Sequence, residues 1–248
     1  MSDPARKLFL TRCWGRDDGG GGFMAVGKQG MGEKMIILRV TAAAAITVAA
    51  WLAPAVWFAP ADAQQQIPVR EALATLNVKP ESPANYRRAL FGGWADADGN
   101  GCNTRAEVLI RQSAKPTTSS GRCTIRTGEW VSIYDGVTST QARAFEIDHV
   151  VAVAEAWRSG ANTWTPDRRR EFYNDLNEGA LIAVSQRSNR QKSDSDPSDW
   201  LPAQNGCTYL VYYVSTKYRW GLSVDPAEKQ SIEQGLNACP AAATVVGG

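Results

Sequence analysis

Histidine is nearly absent from this 248-residue chain, and His149 is its single imidazole. One histidine excludes a metal site built from several histidines and a relay of several imidazoles. Acid–base chemistry near neutral pH by an unperturbed side chain would therefore fall to His149. The alternative is a structural role, because a lone histidine is more often a partly buried, hydrogen-bonded residue than a catalyst.

A marked excess of charge of one sign is also absent. The chain has 27 basic and 25 acidic residues, of which 7 and 5 lie in residues 1–63. The remainder therefore carries 20 of each and is formally neutral. Tight binding of nucleic acid through bulk charge requires a basic excess. Any contact with nucleic acid must come from local clusters of basic residues.

The five cysteines form no Cys-x-x-Cys pair, which argues against a zinc site. Cys13 lies in the amino-terminal segment, and an even set of four in an exported chain predicts two disulfides. We predict the pairs Cys102–Cys123 and Cys207–Cys239, because each closes a local loop, one before and one after Asp148-His149 in the sequence. Each would contribute about 3 kcal/mol on the chain-entropy model. Free buried thiols, or a zinc site from all four cysteines, are the alternatives.

The amino-terminal region lacks the periodicity of a folded element. Residues 1–34 are glycine-rich with mixed charges, which indicates a mis-assigned start or a disordered extension, with translation beginning at Met35. Residues 35–63 combine a basic residue, an apolar run and a terminal Ala-Asp-Ala site, as is typical of a secretory signal peptide. We expect a secreted protein without stable membrane association after cleavage. The alternative is an uncleaved membrane anchor, against which Pro54 argues.

The rest of the chain divides into an exposed lead-in at 64–81, a folded domain at 82–240 and a flexible tail at 241–248. Hydrophobic periodicity, cap residues and turn residues predict the elements of the domain. They are a helix at 84–94, a strand pair in 123–133 that turns at Thr127-Gly128, a helix from Thr165-Pro166-Asp167 to about Asn174, a buried strand at 181–184, a helix from Ser185 to Lys192, and a helix from the capping box Asp225–Glu228 to Ala238.

Residues 96–107 match the calcium-binding loop of an EF-hand, with oxygen ligands at the first, third, fifth and twelfth positions and Gly101 at the sharp turn. Two features count against this interpretation: Asn103 stands at the eighth, normally apolar position, and Cys102 is a predicted disulfide partner. A turn of the same composition is the alternative. The candidate ligands for a structural Ca²⁺ are Asp96, Asp98, Asn100 and Glu107.

A strand-like segment ends in Asp148-His149, and the buried run and the helix with Asn189 follow it. This order builds a ββα unit in which Asp148 and Asn189 hold one divalent metal while His149 faces its open positions. Carboxylate and amide oxygens suit a hard cation such as Mg²⁺, which retains waters that a substrate phosphate can displace. A neutral imidazole beside it can deprotonate an attacking water, a contribution of about 10²–10⁴-fold.

These residues resemble the HNH (ββα-metal) endonucleases, and the third motif is similar to that of the HNH domain in RNA-guided CRISPR effectors. A closer resemblance is to an exported, actinobacterial-type HNH family related to the C-terminal domain of GmrSD restriction enzymes. It covers about residues 82–239. The motifs that carry it are Cys102 to Arg105, Trp130 with Tyr134, Asp148-His149-Val150 running into Glu155 and Trp157, Asn174-Asp175, Asn189-x-x-Lys192-x-Asp194, and Trp200 to Pro202.

The resemblance implies an α+β fold with a ββα-metal core, flanking helices and short strands. It implies a monomeric endonuclease that cleaves DNA or RNA with Mg²⁺, or alternatively Mn²⁺. Asn189 at the third HNH position, in place of histidine, favours a hard metal over zinc or nickel. The middle asparagine, which orients the loop bearing the histidine, is either Asn174 or Asn177. The candidate substrate contacts are Arg105, Arg187, Arg190 and Lys192.

An alternative of another class remains open from the sequence. The chain could be an exported calcium-binding or cell-surface interaction module in which His149 is structural. The loop at 96–107 is the feature that supports this alternative.

Overall fold

The computed structural model describes residues 66–82 and 84–247. The predicted amino-terminal extension and signal peptide lie outside this range. The helices are α1 (Val69–Thr75), α2 (Thr104–Arg111), α3 (Val153–Arg158), α4 (Pro166–Tyr173), α5 (Gln186–Lys192), α6 (Gly206–Trp220) and α7 (Pro226–Leu236). The strands are β1 (Thr118–Ser120), β2 (Thr124–Val131), β3 (Thr138–Gln141), β4 (Phe145–His149) and β5 (Leu181–Ser185), and 3₁₀ turns form at Arg88–Phe91, Ala142–Ala144 and Ala161–Thr163. Of the helices in the described ranges, none has the length and apolar character needed to cross a bilayer.

The strands form two antiparallel sheets. One has the order β1-β2-β3, and the other is the pair β4-β5. In the pair, Asp148 lies opposite Ile182 and His149 opposite Leu181. Helix α5 follows β5 directly, so the strand–strand–helix order predicted around Asp148 and Asn189 is present. The mixture of helices and antiparallel strands confirms the α+β class.

Strand β5 is buried along its whole length because it lies between two clusters of apolar side chains. Ile182 and Val184 belong to the larger cluster, which α1, α3, α4, α6 and α7 complete. Leu181 and Ala183 point to the opposite face and pack with residues of α2 and β2. A strand covered on both faces reads as a continuous apolar run, which is why this element is predictable from the sequence.

The predicted helix starts are confirmed by their caps. Thr165 and Ser185 each accept a hydrogen bond from the backbone N–H three residues later. Asp225 and Glu228 form the reciprocal capping box at the start of α7. Helix α7 ends at Leu236, slightly before the predicted end.

Both predicted disulfides are present. Cys102–Cys123 joins the segment before α2 to the start of β2. Cys207–Cys239 joins the first turn of α6 to the segment after α7. The free-thiol and zinc alternatives for these cysteines are therefore wrong.

The lead-in prediction for 64–81 is wrong for α1. Val69, Ala72 and Leu73 are fully or almost fully buried. Their spacing places them on one face of the helix, which packs against α6. The flanking glutamines and prolines are typical of an exposed segment, and the apolar pattern of the helix is too short to outweigh them.

The prediction of a flexible tail at 241–248 is also wrong for the described part. The backbone of Val69 donates to Ala243 O at 2.9 Å, and Val245 N donates to Ile67 O at 2.9 Å. The two ends of the domain thus hold each other through backbone hydrogen bonds. Hydrophobic periodicity cannot predict this pairing, because it joins segments at opposite ends of the folded domain.

The helix predicted at 84–94 is reduced to the 3₁₀ turn Arg88–Phe91. Asn85 and Gly92 adopt positive φ angles of 61° and 76°, which interrupt helical geometry on both sides. Phe91 is nevertheless buried, as its apolar character predicts.

The turn predicted at Thr127-Gly128 is wrong, because β2 runs through both residues. Thr127 pairs with Thr118 on one side and Gln141 on the other. Gly128 is required for packing: a Cβ there would lie 2.6 Å from the ring of Trp130. The glycine therefore marks a close approach inside a strand.

A buried charged cluster joins three helices. Lys217 Nζ on α6 lies 2.7 Å from Glu155 Oε1 on α3 and 2.5 Å from Glu228 Oε1 on α7. Burial, together with the neighbouring Glu155 carboxylate, raises the pKa of Glu228 to about 7, although Lys217 acts in the opposite direction. Three ionisable side chains in the core hold these helices in one arrangement.

Candidate active site

A cleft of about 570 Å³ opens where β4 and α5 meet the 3₁₀ turn at Arg88–Phe91. Asp148, His149 and Asn189 all line it. The structure thus brings together the three residues that the sequence assigns to catalysis and metal binding. Arg88 and Arg190 line the same cleft.

The periods of a strand and a helix explain how β4 and α5 meet. Glu146 and Asp148 are two apart on β4 and share a face, while Asn189 and Lys192 are three apart on α5 and share a side. Asn189 Nδ2 donates to Glu146 Oε2 at 2.7 Å, and Lys192 Nζ donates to Asp148 Oδ1 at 3.0 Å. These two contacts connect α5 to β4.

Asp148 is 5% exposed, and each of its carboxylate oxygens has a partner. Tyr134 donates to Oδ2 at 2.6 Å, and Lys192 donates to Oδ1. Burial raises the pKa of Asp148, and Lys192 and Tyr134 offset part of that increase. A carboxylate has about four lone-pair positions, so these two bonds leave acceptor capacity on Asp148.

Lys192 is predicted from the sequence as a substrate contact, and its position contradicts that role. The side chain has no exposed surface. Its ammonium donates to Asp148 Oδ1 and to His149 O, both at 3.0 Å. Lys192 therefore stabilises Asp148 and His149 from the protein interior and does not line the cleft, where a phosphate would bind.

His149 is 5% exposed and is held by one hydrogen bond and a stack of rings. Trp94 stacks on it with a centroid distance of 5.3 Å and an interplanar angle of 12°. Phe172 stacks with a centroid distance of 6.1 Å and an angle of 23°. His149 Nε2 lies 2.9 Å from Tyr173 O. A carbonyl oxygen only accepts, so Nε2 carries the proton and Nδ1 carries the lone pair.

The pKa of His149 is lowered to about 3. Burial is the main cause, because it disfavours the charged imidazolium, and the cations of Arg88 and Lys192 add to it. The hydrogen bond to Tyr173 opposes the shift. The imidazole is therefore neutral near pH 7 and has an unprotonated nitrogen.

The two candidates for the middle asparagine have different surroundings. Asn174 Oδ1 accepts from Ala95 N at 2.8 Å and from Thr104 Oγ1 at 2.7 Å, and its Nδ2 donates to Gly93 O at 3.1 Å. These bonds hold the segment that carries Trp94 against the histidine. Asn177 instead bonds to Asp175 Oδ1 within a local turn. Asn174 is the better match to an orienting role, and neither side chain lines the cleft.

The predicted arginine contacts are dispersed. Arg190 lines the cleft and forms a forked ion pair with Glu146 Oε1, at 2.8 Å from Nη2. Arg187 is exposed on the first turn of α5. Arg105 does not line the cleft and donates to Phe145 O at 3.4 Å.

Three residues that contact the site are not among the site residues predicted from the sequence. Glu146 could have been found as the period-two neighbour of Asp148 on the same strand. Arg88 and Trp94 come from a segment far earlier in the chain, and no local pattern connects them to His149. Only the folded chain places Arg88 in the cleft wall and Trp94 against the ring of His149.

In the loop at 96–107 the Asn100 side chain links two other candidate ligands, and Asp96 bonds to the loop backbone. Asn100 Nδ2 donates to Asp98 Oδ2 at 2.8 Å and to Glu107 Oε1 at 3.0 Å. Gly101 N donates to Asp96 Oδ2 at 2.9 Å. The polar residue at the eighth position is explained, because Asn103 caps α2 by accepting from Ala106 N. The same hydrogen bonds are expected in an Asp/Asn/Gly turn that binds no ion, so calcium binding stays a prediction.

Comparison with known proteins gives two matches. Residues 104–233 match the family described as GmrSD restriction endonucleases, C-terminal domain. A protein of Arthroderma benhamiae (strain ATCC MYA-4681 / CBS 112371), described as an uncharacterized secreted protein, is 39% identical over 170 residues, which cover 67% of this chain and 82% of the relative. No solved structure matches the chain. The family match spans more than half of the chain and includes the whole Asp148 to Lys192 arrangement, and the chain belongs to the family of GmrSD restriction endonuclease C-terminal domains.

Proposed function

We propose that the protein is an exported, metal-dependent HNH-type endonuclease that hydrolyses phosphodiester bonds of DNA or RNA, with His149 as general base. Family membership supports a nuclease-like function. The observation that carries the proposal is the state of His149 at the cleft. It is a neutral imidazole whose Nε2 proton is held by Tyr173 O, beside Asp148 and Asn189.

In this proposal the base acts through Nδ1. A water in the cleft loses a proton to Nδ1 as its oxygen bonds to phosphorus, and the bond from phosphorus to the leaving oxygen breaks. The bond from Nε2 to Tyr173 O keeps the ring in one orientation, and the resulting imidazolium keeps that bond. Arrival of the anionic phosphate also raises the basicity of the imidazole, because a nearby negative charge favours its protonated form.

The donor atoms at the cleft fit a hard divalent cation such as Mg²⁺, with Mn²⁺ as an alternative. Asn189 Oδ1 accepts no hydrogen bond within the described residues, since only Nδ2 is used, by Glu146. Asp148 retains acceptor capacity beside it. Asp148 and Asn189 are the residues that would hold the ion, and its charge would stabilise the scissile phosphate and the leaving oxygen.

The remaining roles are those of position and charge. Asn174 holds the Trp94 segment against His149, and Lys192 with Tyr134 fixes the Asp148 carboxylate. Arg190 and Arg187 project from α5 toward solvent and would meet the nucleic-acid backbone outside the reacting phosphate. Their number is small, in agreement with a formally neutral domain that binds substrate locally.

Export is supported by two observations outside the cleft. The Arthroderma benhamiae relative is described as secreted. Both disulfides join segments of the folded domain, and such bonds persist in oxidising compartments. The proposed localisation is extracellular, with the leader removed.

The test of this function is cleavage of supercoiled plasmid by the purified, oxidised protein. With Mg²⁺ we expect nicked and then linear DNA, and with EDTA we expect none. Adding Mg²⁺ in excess of EDTA should restore cleavage. A protein that is folded, oxidised and metal-supplied, yet leaves both plasmid DNA and RNA intact, would contradict the proposal.

A further inference from the structure

The cleft contains an arginine that no ion pair occupies. Arg88, in the 3₁₀ turn, lines the cleft together with His149 and Asn189. Within the described residues its guanidinium forms no salt bridge with a carboxylate. Its neighbours are the neutral hydroxyls of Tyr173, which accepts a hydrogen bond at 3.2 Å, and Tyr86. Neutral acceptors of this kind leave N–H donors of the five on an arginine available.

The other basic side chains near the cleft are already engaged. Arg190 makes its forked contact with Glu146. Lys192 is fully buried between Asp148 and the backbone of His149. Arg88 is therefore the cation of the cleft wall that is free to meet an anion.

Tyr173 sets the position of Arg88 relative to the base. The guanidinium lies over the Tyr173 ring, 5.4 Å from its centroid, and donates to its hydroxyl. The carbonyl of the same residue holds His149 Nε2. One residue of α4 thus contacts both the imidazole and the guanidinium and brings them to the same part of the cleft.

We propose that Arg88 binds the non-bridging oxygens of the scissile phosphate and stabilises the charge that develops there. This inference rests on the proposed function. A planar guanidinium presents a fork of donors that matches two phosphate oxygens, and a phosphorane carries more negative charge on them than the ground state does. Arg88 is then a substrate-binding residue contributed by a segment outside the strand–strand–helix arrangement.

The chain offers a matched control in Arg87. It is the adjacent residue, has the same charge, is exposed and does not line the cleft. We expect Arg88→Ala to lower kcat/KM for Mg²⁺-dependent cleavage by about 10²–10³-fold, as for loss of one donor to a developing oxyanion. Arg87→Ala should stay within about threefold of wild type.

A binding measurement separates phosphate contact from a structural role. The affinity for a short DNA duplex is measured in EDTA at several salt concentrations. Loss of one phosphate contact reduces the slope of log K against log salt by about 0.9. We expect this reduction for Arg88→Ala and an unchanged slope for Arg87→Ala.

Arg88→Lys covers the case in which Arg88→Ala does not fold. The lysine keeps the cation near Tyr173 but loses the planar fork, so we expect the salt slope to be retained and kcat/KM to fall at least tenfold. Full activity in a folded Arg88→Lys protein, or equal behaviour of the Arg88→Ala and Arg87→Ala proteins, would overturn the inference. If the wild-type protein neither binds nor cleaves nucleic acid, the proposed function itself fails; if it cleaves and the Arg88 variants match it, only the role of Arg88 fails.

Discussion

At the scale of the residue, burial governs the chemistry of His149. Its folded-state pKa is about 3, against an ordinary value of 6.5. Between these values the unfolded chain binds a proton that the folded protein does not. The contribution of His149 to stability is therefore complete above pH 6.5 and is lost as the pH falls toward 3.

This difference predicts a pH-dependent gap between the wild-type protein and His149→Gln. In EDTA, the free energy of unfolding of the wild type should fall relative to the variant by up to about 1.4 kcal/mol per pH unit below 6.5. Urea unfolding at pH 4 to 7 measures it. Glu81 and Glu228 have pKa values raised to about 7, but both proteins share them, so their effect cancels. Parallel stability curves for the two proteins would show that the histidine is not buried in its neutral form.

Lys192 provides a second prediction at this scale. Lys192→Met removes the partner of the buried Asp148 carboxylate and should destabilise the protein by about 3–5 kcal/mol. Arg187→Met, exposed on the same helix, should change stability by less than about 0.5 kcal/mol. Adding Asp148→Asn to Lys192→Met should recover part of the loss, because no unpaired charge then remains buried. A Lys192→Met protein as stable as the Arg187→Met protein would refute the buried ion pair.

At the scale of the element, local chemistry predicts some parts of the fold and not others. Helices α4, α5 and α7 are predictable because their cap residues are in the sequence, and β5 because both its faces are apolar. Helix α1 is short, and it is stabilised by tertiary contacts with α6, α7 and the carboxy-terminal segment. The sequence predicts a turn at Gly128, because the close approach of Ser113 and of the Trp130 ring that requires a glycine there exists only in the folded chain.

The two candidate metal elements make opposite predictions. Asn189→Ala removes an oxygen from the catalytic site and should abolish Mg²⁺-dependent cleavage with little change in melting temperature. Asp98→Ala should lower the melting temperature in calcium, by the binding free energy that the loop supplies, and leave cleavage per molecule near normal. If Asp98→Ala alone stops cleavage while Asn189→Ala cleaves normally, the chemistry belongs to the loop at 96–107.

For the whole molecule, the sequence predicts which residues line the cleft better than it predicts the residues that hydrogen-bond to them or stack on them. Asp148, His149 and Asn189 share the cleft as predicted, because a strand pair and the helix that follows it bring them together. The partners of these residues come from distant segments. Tyr134 and Trp94 reach the site only through long-range packing, and local periodicity contains no information on such contacts.

Export makes a prediction about the complete protein. The native secreted form should begin at Gln64 and contain no free thiol, because Cys13 is removed with the leader and the other four cysteines are paired. Intact-mass measurement with thiol titration tests both points together. Retention of residues 1–63, or two titratable thiols, would contradict it.

Plasmid cleavage with His149→Ala is the decisive test of His149 as the general base of a nuclease. With saturating Mg²⁺, we expect a loss of at least about 10²-fold in rate relative to the wild type. Circular dichroism must show the same fold, and Arg87→Ala serves as the control that retains the wild-type rate. If a correctly folded His149→Ala protein nicks plasmid as fast as Arg87→Ala, His149 is not the general base.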